Sequence, residues 1–356
     1  MSPATCDQTS EFADHITRAA AAHQPLVVCG GRSKEFIGGV ATGDSLDTTL
    51  HQGLVIYEPE ELTLSALAGT SIAQIAELLA RSGQMLAFNP PQFSNRSTLG
   101  GCIAAGLSGP ERPFWGSARD AVLGVGLING SGQILKFGGR VMKNVAGYDI
   151  SRLMAGSWGT LGLITEVTLR VVPLPEHRET FTTAIDEAAA LNALARWIRS
   201  GVPISAACHL NNTLHVQLSG SENSVKHARL HLEGDWAPQE HLFWNHVRDH
   251  THPFFDSLEN LWRCIVPPHT PPLPLEGNQL IDWAGAQRWY RGNTPAELVQ
   301  STAKKAGGYA LLFRSRGVRP PLYSEISGPL LHLHQRLKAV FDPASIFNRE
   351  KLFTHS

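Results

Sequence analysis

Nowhere does the chain run to the ~18 consecutive apolar residues that a membrane-spanning helix needs. Its first twenty residues, MSPATCDQTSEFADHITRAA, hold no basic stretch followed by an apolar one. Neither a membrane span nor secretion is expected. An excess of one charge is missing as well. The 30 Lys and Arg face 31 Asp and Glu, a formal net charge of -1, so the basic surplus that attracts nucleic acid is absent. Cysteine is scarce and scattered: Cys6, Cys29, Cys102, Cys208 and Cys264 are odd in number and include no CxxC pair. Such spacing suits neither a disulfide framework, a zinc site nor an iron-sulfur cage. The five are expected as reduced thiols of a cytosolic protein. What is present is 356 residues, 42% of them hydrophobic, enough for two domains with cores of their own.

Two prolines in VVPLPEHRE, Pro173 and Pro175, interrupt an apolar strand and divide the pattern. Before them lie short strands and glycine turns. A helix is expected over 12–22, a strand in PLVVC, strands over 54–59 and 62–68, and a helix over 71–82 whose Ile72, Ile75, Ala76 and Leu79 repeat at helical spacing, capped by Thr70 or Ser71. After the prolines the pattern predicts strands at 181–185, 204–210, 214–219, 261–266, 279–290 and 309–314, and helices at 187–199, 223–233, 295–306 and 328–340. That alternation suits an α+β fold with an antiparallel sheet and helices on one face. Five prolines between Pro267 and Pro274 mark a loop. Of Trp236, Trp244, Trp262, Trp283 and Trp289, most are expected in the core.

Ser97 to Glu166 is the densest segment. It holds STLGGCIAAGLSGP, GSARDAVLG and GGRVMKNVAGYDISRLMAGSWGTLG before the strand-like LITEVTLRVV. Glycines recur where apolar runs stop, and glycine alone turns freely at positive φ and lets another group approach the backbone. Free N–H groups in such turns make concave anion sites, suited to a dinucleotide pyrophosphate. GGRSKEFIGG does not match GxGxxG, and the strict strand-helix alternation of a doubly wound sheet is missing, so a Rossmann fold is not indicated.

Together, YEPEELTLSALAGTSIAQIAELLARSGQMLAFNPP, STLGG, the KNVAGYDISRLMAGSWGTLGLITEVTLRVVP block and the terminal FDPASIFN resemble the FAD-binding domain of the vanillyl-alcohol oxidase and para-cresol methylhydroxylase superfamily. Within it the chain is most similar to the FAD-binding subunits of bacterial glycolate oxidases. The likeness covers nearly the whole chain, strongest over 87–173 and weak over 181–327. It implies a two-subdomain FAD-binding domain over 1–174, a ferredoxin-like α+β cap with an antiparallel sheet over 175–327, and a C-terminal helix and tail over 328–356 that return to the first domain.

The resemblance also implies site residues. The turn after the first strand, Gly30, Gly31, Arg32, Ser33 and Lys34, would wrap the pyrophosphate, with Arg32 standing where the family has a third glycine. Ser97, Thr98, Leu99, Gly100 and Gly101 form a second loop toward phosphate and the flavin edge, and Ala105 and Gly106 would leave room for the ring. Gly116, Ser117 and Asp120 would lie near the ribityl and adenine side. Gly159, Leu161, Gly162 and Ile164 would lay backbone against adenine, and Asn348 would return to the flavin, with Arg349 and Glu350 replacing the usual Pro-Gly. A plainer role for the glycines near Gly100 is tight packing between strands. Lys143 and Asn144 precede a Gly-Tyr turn as either site residues or surface groups. Arg152 and Asp149 suit a structural clamp.

Family members that oxidise 2-hydroxy acids carry a histidine-rich C-terminal segment ending in Glu-His plus glycine, and none is found here. His332 and His334 are two apart on a predicted helix and point in different directions. His246 and His250, at i and i+4 in NHVRDHTH, face the same way without a carboxylate-rich partner run, so these histidines are expected at the surface or an interface and no metal site is assigned. The GGRSK turn lacks the histidine that attaches flavin covalently elsewhere in the superfamily, so FAD is expected to bind non-covalently, with Cys102 the alternative attachment point. The expectation is an FAD-binding subunit of a glycolate oxidase complex, beside a catalytic flavin subunit and an iron-sulfur subunit. The complex would convert glycolate to glyoxylate and pass electrons to an acceptor other than NAD, in the cytoplasm or at the inner membrane face through its partners. The alternatives are a self-sufficient FAD-dependent 2-hydroxy-acid dehydrogenase and a non-catalytic FAD-dependent scaffold.

Overall fold

The computed structural model describes residues 5–139, 149–230, 232, 234–237, 241–323, 326 and 328–353. The chain divides into two compact units. One comprises Met1–Leu107, Ser117–Pro173 and Arg319–Ser356, the other Ser108–Gly116 and Leu174–Val318.

In the first unit, Leu26–Cys29 pairs in parallel with Asp44–Asp47. A five-stranded antiparallel sheet runs in the spatial order Leu54–Glu58, Thr63–Leu67, Leu163–Arg170, Val122–Ile128, Ile134–Gly138. Thr63–Leu67 is buried at every position, which is why TLSAL does not alternate between apolar and polar. The helix Ile72–Arg81 turns Ile72, Ile75 and Leu79 inward, and Ser71 caps it by accepting the Ala73 N–H at 3.2 Å. These side chains join Leu64, Ile103, Val167 and Leu169 in one core. A second core ties the N-terminal helix Thr9–Ala21 to the C-terminal tail through Phe12, Ile16, Leu26, Ile346 and Phe347. Residues more than 300 positions apart thereby frame the same strand.

The second unit is built on an eight-stranded antiparallel sheet. Its first half runs strand, helix, strand, strand, helix, strand: His177–Ala184, Glu187–Arg199, Ile204–Leu210, Thr213–Gly220, Glu222–Arg229, Asp235–Ala237. Their spatial order of fourth, first, third, second strand is the ferredoxin-like arrangement. Asn278–Asp282, Gln287–Arg291, Leu261–Ile265 and Tyr309–Arg314 extend the sheet. The single strand expected over 279–290 is instead a hairpin. Trp283 and Ala284 adopt φ of 53° and 51° and reverse the chain between its arms. Asp282 accepts the Trp283 N–H at 2.7 Å and Gly285, at φ 102°, closes the reversal, turn residues that the strand expectation ran through, while Trp283 anchors it. Its indole N–H donates to the Gly109 carbonyl at 2.8 Å, and the Arg112 guanidinium lies 4.4 Å from the ring centroid. These contacts fasten the Ser108–Gly116 stretch into this unit. Trp244, Trp262, Trp283 and Trp289 are buried. The helix His241–Asp249 has no counterpart in the sequence reading.

Candidate cofactor-binding cleft

One cleft of the first unit, with about 1000 Å³ of empty space and open to solvent, gathers segments far apart in sequence. Its wall includes the end of Leu26–Cys29, the turn Gly30–Glu35, Gly39–Ala41, one side of the helix Leu99–Ala105, Trp158 and Gly159, Gly162–Ile164, Arg319, Asn348 and Lys351. Of the residues singled out from sequence, Gly30, Gly31, Arg32, Ser33, Lys34, Thr98, Gly100, Gly101, Ala105, Gly159, Gly162, Ile164 and Asn348 line it.

The Gly30–Lys34 turn is packed so closely that a Cβ at Gly31 would fall on the Arg96 carbonyl and one at Gly30 on the Thr98 hydroxyl. Arg32 occupies the left-handed region at φ 54°, the conformation that explains a glycine in the family pattern. Its guanidinium donates to Glu35 at 2.8 Å and to Ser45 at 2.7 Å, on the exposed side of the turn. Among the described residues, the N–H groups of Gly31, Arg32 and Ser33 meet no acceptor. Three successive amides, one of them beside a left-handed residue, form the concave nest that receives anions. Arg32→Gly is expected to relieve up to about 1 kcal/mol of backbone strain, offset in part by loss of an exposed ion pair worth ~0.5 kcal/mol. A melting curve and an FAD titration check this. Affinity should stay within threefold, and a tenfold loss would place the guanidinium on phosphate.

The second expected loop is a helix. Leu99–Ala105 begins at Ser97-Thr98, and its first N–H groups are already engaged: Leu99 to the Thr70 carbonyl at 2.8 Å, Gly100 to Ala68 at 2.7 Å, and Gly101 to the Thr98 hydroxyl at 3.3 Å. Both readings of its glycines therefore apply. A Cβ on Gly100 would stand 2.7 Å from that of Ala68, so its absence lets helix meet strand, while Gly100 and Gly101 also leave the cleft wall flat. Leu99 points into the core, and Ser97 is buried with its hydroxyl receiving a 2.8 Å bond from Lys34 Nζ. Gly106, left-handed at φ 63°, ends the helix and lets Gly156 cross beside it, where Gly156 and Trp158 donate to Ile103 and Ala104.

Other expected residues lie elsewhere. Gly116, at φ 97°, ends the short helix Arg112–Trp115 of the second unit. Ser117 and Asp120 form a reciprocal capping box on Ala118–Ala121. Leu161 lines a separate cavity under the last helix with Leu153, His334 and Phe353. None of these lines the cleft. Asp149 caps Ile150–Leu153 and pairs with Arg152 at 3.3 Å. Lys143 and Asn144 fall outside the described residues.

Asn348 lines the cleft with its amide already engaged. Oδ1 accepts the Val28 N–H at 2.8 Å, and Nδ2 donates to the Trp158 carbonyl at 2.7 Å and to Val28 at 3.4 Å. It clamps the first strand, the Trp158-Gly159 wall and the tail together. Next to it, Arg349 Nε donates to Ser345 at 2.5 Å and Glu350 is left-handed at φ 61°.

Arg319, Lys351 and Trp158 are wall residues that the sequence reading missed. Trp158 sits inside the quoted SWGTLG block and Lys351 just beyond FDPASIFN. Arg319 lies in a region without a motif. Four cations, Arg32, Lys34, Arg319 and Lys351, thus face one carboxylate, Glu35, around the cleft, a surplus suited to a ligand with two phosphate charges. Lys34 is buried, and Arg319 donates to the Glu35 carbonyl at 2.6 Å. Lys351 Nζ bonds the Ile37 carbonyl and lies 5.3 Å from the Trp158 ring centroid. Burial, reinforced by Arg319 and opposed by Glu35, brings its pKa down to about 8. Above that pH the free protein must take up a proton at Lys351 to present a cation, so FAD affinity is expected to fall as pH rises from 7 to 9.5. In Lys351→Met the step should vanish and affinity at pH 7 should drop about tenfold, the effect of ~1.4 kcal/mol. Titrations at four pH values read both.

Cys102 faces the core from the Leu99–Ala105 helix, and burial pushes its thiol up to about 11. A thiol so seldom ionised is a poor nucleophile for flavin attachment. Of the histidines expected at a surface or interface, His250 stacks on Phe255 with centroids 3.8 Å apart and meets Trp289 edge-on, a core position. His252 accepts the Phe254 N–H.

A family model described as an FAD binding domain matches residues 4–138. The glycolate oxidase subunit GlcE of Escherichia coli (strain K12) is 40% identical over 98% of this chain and 98% of its own length. The chain belongs to the GlcE family. The glycolate oxidase subunit GlcD of Bacillus subtilis (strain 168) is 30% identical to this GlcE-family chain, over 51% of the chain and 38% of the relative. A D-lactate dehydrogenase of Anaerostipes hadrus is 30% identical over 43% of the chain and 32% of its own length. Among solved structures, alkyldihydroxyacetonephosphate synthase superimposes with a TM-score of 0.69 at 15% identity, covering 96% of this chain and 75% of that one, and so shares the fold. The closely packed turn, its open amides and the surrounding cations fit FAD.

Proposed function

We propose that this GlcE-family chain is the FAD-binding subunit of a glycolate oxidase, working beside a catalytic flavin subunit and an iron-sulfur subunit to oxidise glycolate to glyoxylate. The single observation that carries the reading is the 40% identity over 98% of both chains to a glycolate oxidase subunit, and the cationic cleft supports it. Gly31, Arg32 and Ser33 would receive the pyrophosphate at their amides, with Lys34, Arg319 and Lys351 balancing its charge. Gly100, Gly101 and Ala105 would give the flat ligand an apolar wall, and Asn348 would hold that wall in place. Held there, FAD would supply the hydride-transfer chemistry of a flavin. No side chain of this chain is assigned to take the substrate's proton. The electrons would pass to an acceptor other than NAD, and the complex would lie in the cytoplasm or at the inner face of the membrane through its partners. Among the described residues no helix is long and apolar enough to cross a membrane.

The test is purification of the three co-expressed subunits with flavin counted per chain. One FAD on this chain, bleached by glycolate only when the catalytic subunit is present, is the expected result. Bleaching of this chain by glycolate alone would make it a self-sufficient dehydrogenase. Full activity from a complex whose copy of this chain has lost FAD, through bulky replacements at Gly100 and Gly101, would leave only a scaffold.

A further inference from the structure

The separate cavity under the last helix, Gly328–Phe341, lies wholly in the first unit and has a volume of about 370 Å³. Packed interiors seldom leave gaps much larger than a water molecule, and this opening is on the scale of a ligand pocket. Leu153, Leu161, Leu331, Leu337, Leu352 and Phe353 make most of its wall apolar. One segment separates it from the cofactor cleft. Trp158, Gly159 and Gly162 line the cleft, while Ser157, Thr160 and Leu161 line the cavity. A Cβ on Gly156, another lining residue, would meet nothing within 4 Å, so the cavity side of this partition is open.

The polar groups around it are neutral or already engaged. Among the described residues no carboxylate and no arginine lines the cavity, and Lys338 Nζ is committed to Asp342 and to the Thr160 and Phe347 carbonyls. On the helix, the His334 ring packs on Phe353 with centroids 4.7 Å apart and makes no hydrogen bond to another described residue. Burial lowers its pKa, so the ring is uncharged at neutral pH. On the partition, Ser157 is 6% exposed and its hydroxyl is buried without a partner.

We propose that this cavity binds a neutral, planar ring compound with a carbonyl oxygen at each end, the chemistry of a para-quinone. The leucines and Phe353 would enclose the ring. The His334 N–H would donate to one carbonyl, and the Ser157 hydroxyl, turned inward about χ1, to the other. An anion would find no free cation there, and a hydrocarbon of the same size would leave both polar groups unpaired. Water would satisfy those groups but not the apolar wall between them. The site goes beyond the glycolate oxidase reading and does not rest on it.

The experiment uses the FAD-loaded chain, so that the cofactor cleft is filled, and compares duroquinone with durene, the same methylated ring without its oxygens, by equilibrium dialysis. Duroquinone is expected to bind once per chain and at least about fivefold more tightly than durene, the effect of two neutral hydrogen bonds. Leu331→Trp fills the cavity from the helix and should weaken duroquinone at least tenfold, with FAD content and melting temperature unchanged. Leu330→Trp, beside it on the exposed side of the helix, should bind as wild type does. Because a tryptophan could disturb the packing, His334→Leu gives a second readout. It should cost duroquinone about three- to tenfold in affinity and leave durene unaffected, a split that general loosening would not produce. Equal binding of the two probes, binding of neither, or wild-type duroquinone affinity in both Leu331→Trp and His334→Leu overturns the proposal.

Discussion

Gly31→Ala is expected to give a folded protein that purifies nearly colourless, with FAD affinity lowered about 5- to 150-fold. The Cβ would fall on the Arg96 carbonyl, and backbone cannot swing aside as a side-chain tip does. Relieving the clash moves the 30–34 turn away from residue 96 and misaligns the open amides of Gly31, Arg32 and Ser33. Forcing one extra carbon into a close-packed site costs about 1–3 kcal/mol, and that range converts to the stated loss because every ~1.4 kcal/mol is tenfold. Flavin fluorescence titration measures the affinity, and circular dichroism checks the fold. Gly317→Ala is the control, since a Cβ there meets nothing within 4 Å. A yellow Gly31→Ala protein with wild-type affinity would remove the turn from the binding site.

The second large effect is on stability. Lys338→Met should lower it by about 3–5 kcal/mol, the cost of leaving one member of a buried ion pair alone. Lys338 Nζ donates to Asp342 Oδ2 at 2.7 Å, to the Thr160 carbonyl at 2.7 Å and to the Phe347 carbonyl at 2.9 Å. Asp342, fully buried, also accepts the Ile346 and Phe347 N–H groups at 3.0 and 2.9 Å. The pair bolts the turn that delivers Asn348 to the cleft. Burial lowers the Lys338 pKa, while Asp342 opposes the shift. Chemical denaturation would register the loss as a lower midpoint. Flavin should be released at a lower denaturant concentration than the midpoint of unfolding, because the tail frees Asn348 first. A midpoint shift under 1 kcal/mol would mean that Asp342 finds another partner.

Legibility followed the range of the forces involved. Helix Glu187–Arg199 and strands Ile204–Leu210 and Tyr309–Arg314 match the expected spans because periodicity and end signals are local. The hairpin at Trp283-Ala284 escaped although Asp282 and Gly285 bracket it, because the apolar and aromatic residues on both sides continue a strand-like pattern. Ser97–Gly101 reads as a glycine loop, yet Thr98 caps a helix in which Gly100 fits against Ala68. Helix propensity disfavours two adjacent glycines, and close packing against a neighbouring strand overrides it. Arg32 was readable as a departure from pattern at a position that could need positive φ, but its bonds to Glu35 and Ser45 were not readable.

The motifs' likeness to known flavoproteins placed the family, and apolar periodicity and glycine turns, which are local signals, placed the α+β class and the turn at Gly30–Lys34. The folded chain alone reveals that Arg319, Lys351 and Trp158 join that turn, that Asn348 uses its amide as a clamp, and that Gly116, Ser117 and Asp120 stay out of the cleft wall. Those outcomes depend on contacts between segments up to about 320 residues apart. Their geometry is set by how helix, sheet and tail pack, and no local pattern of residues encodes it.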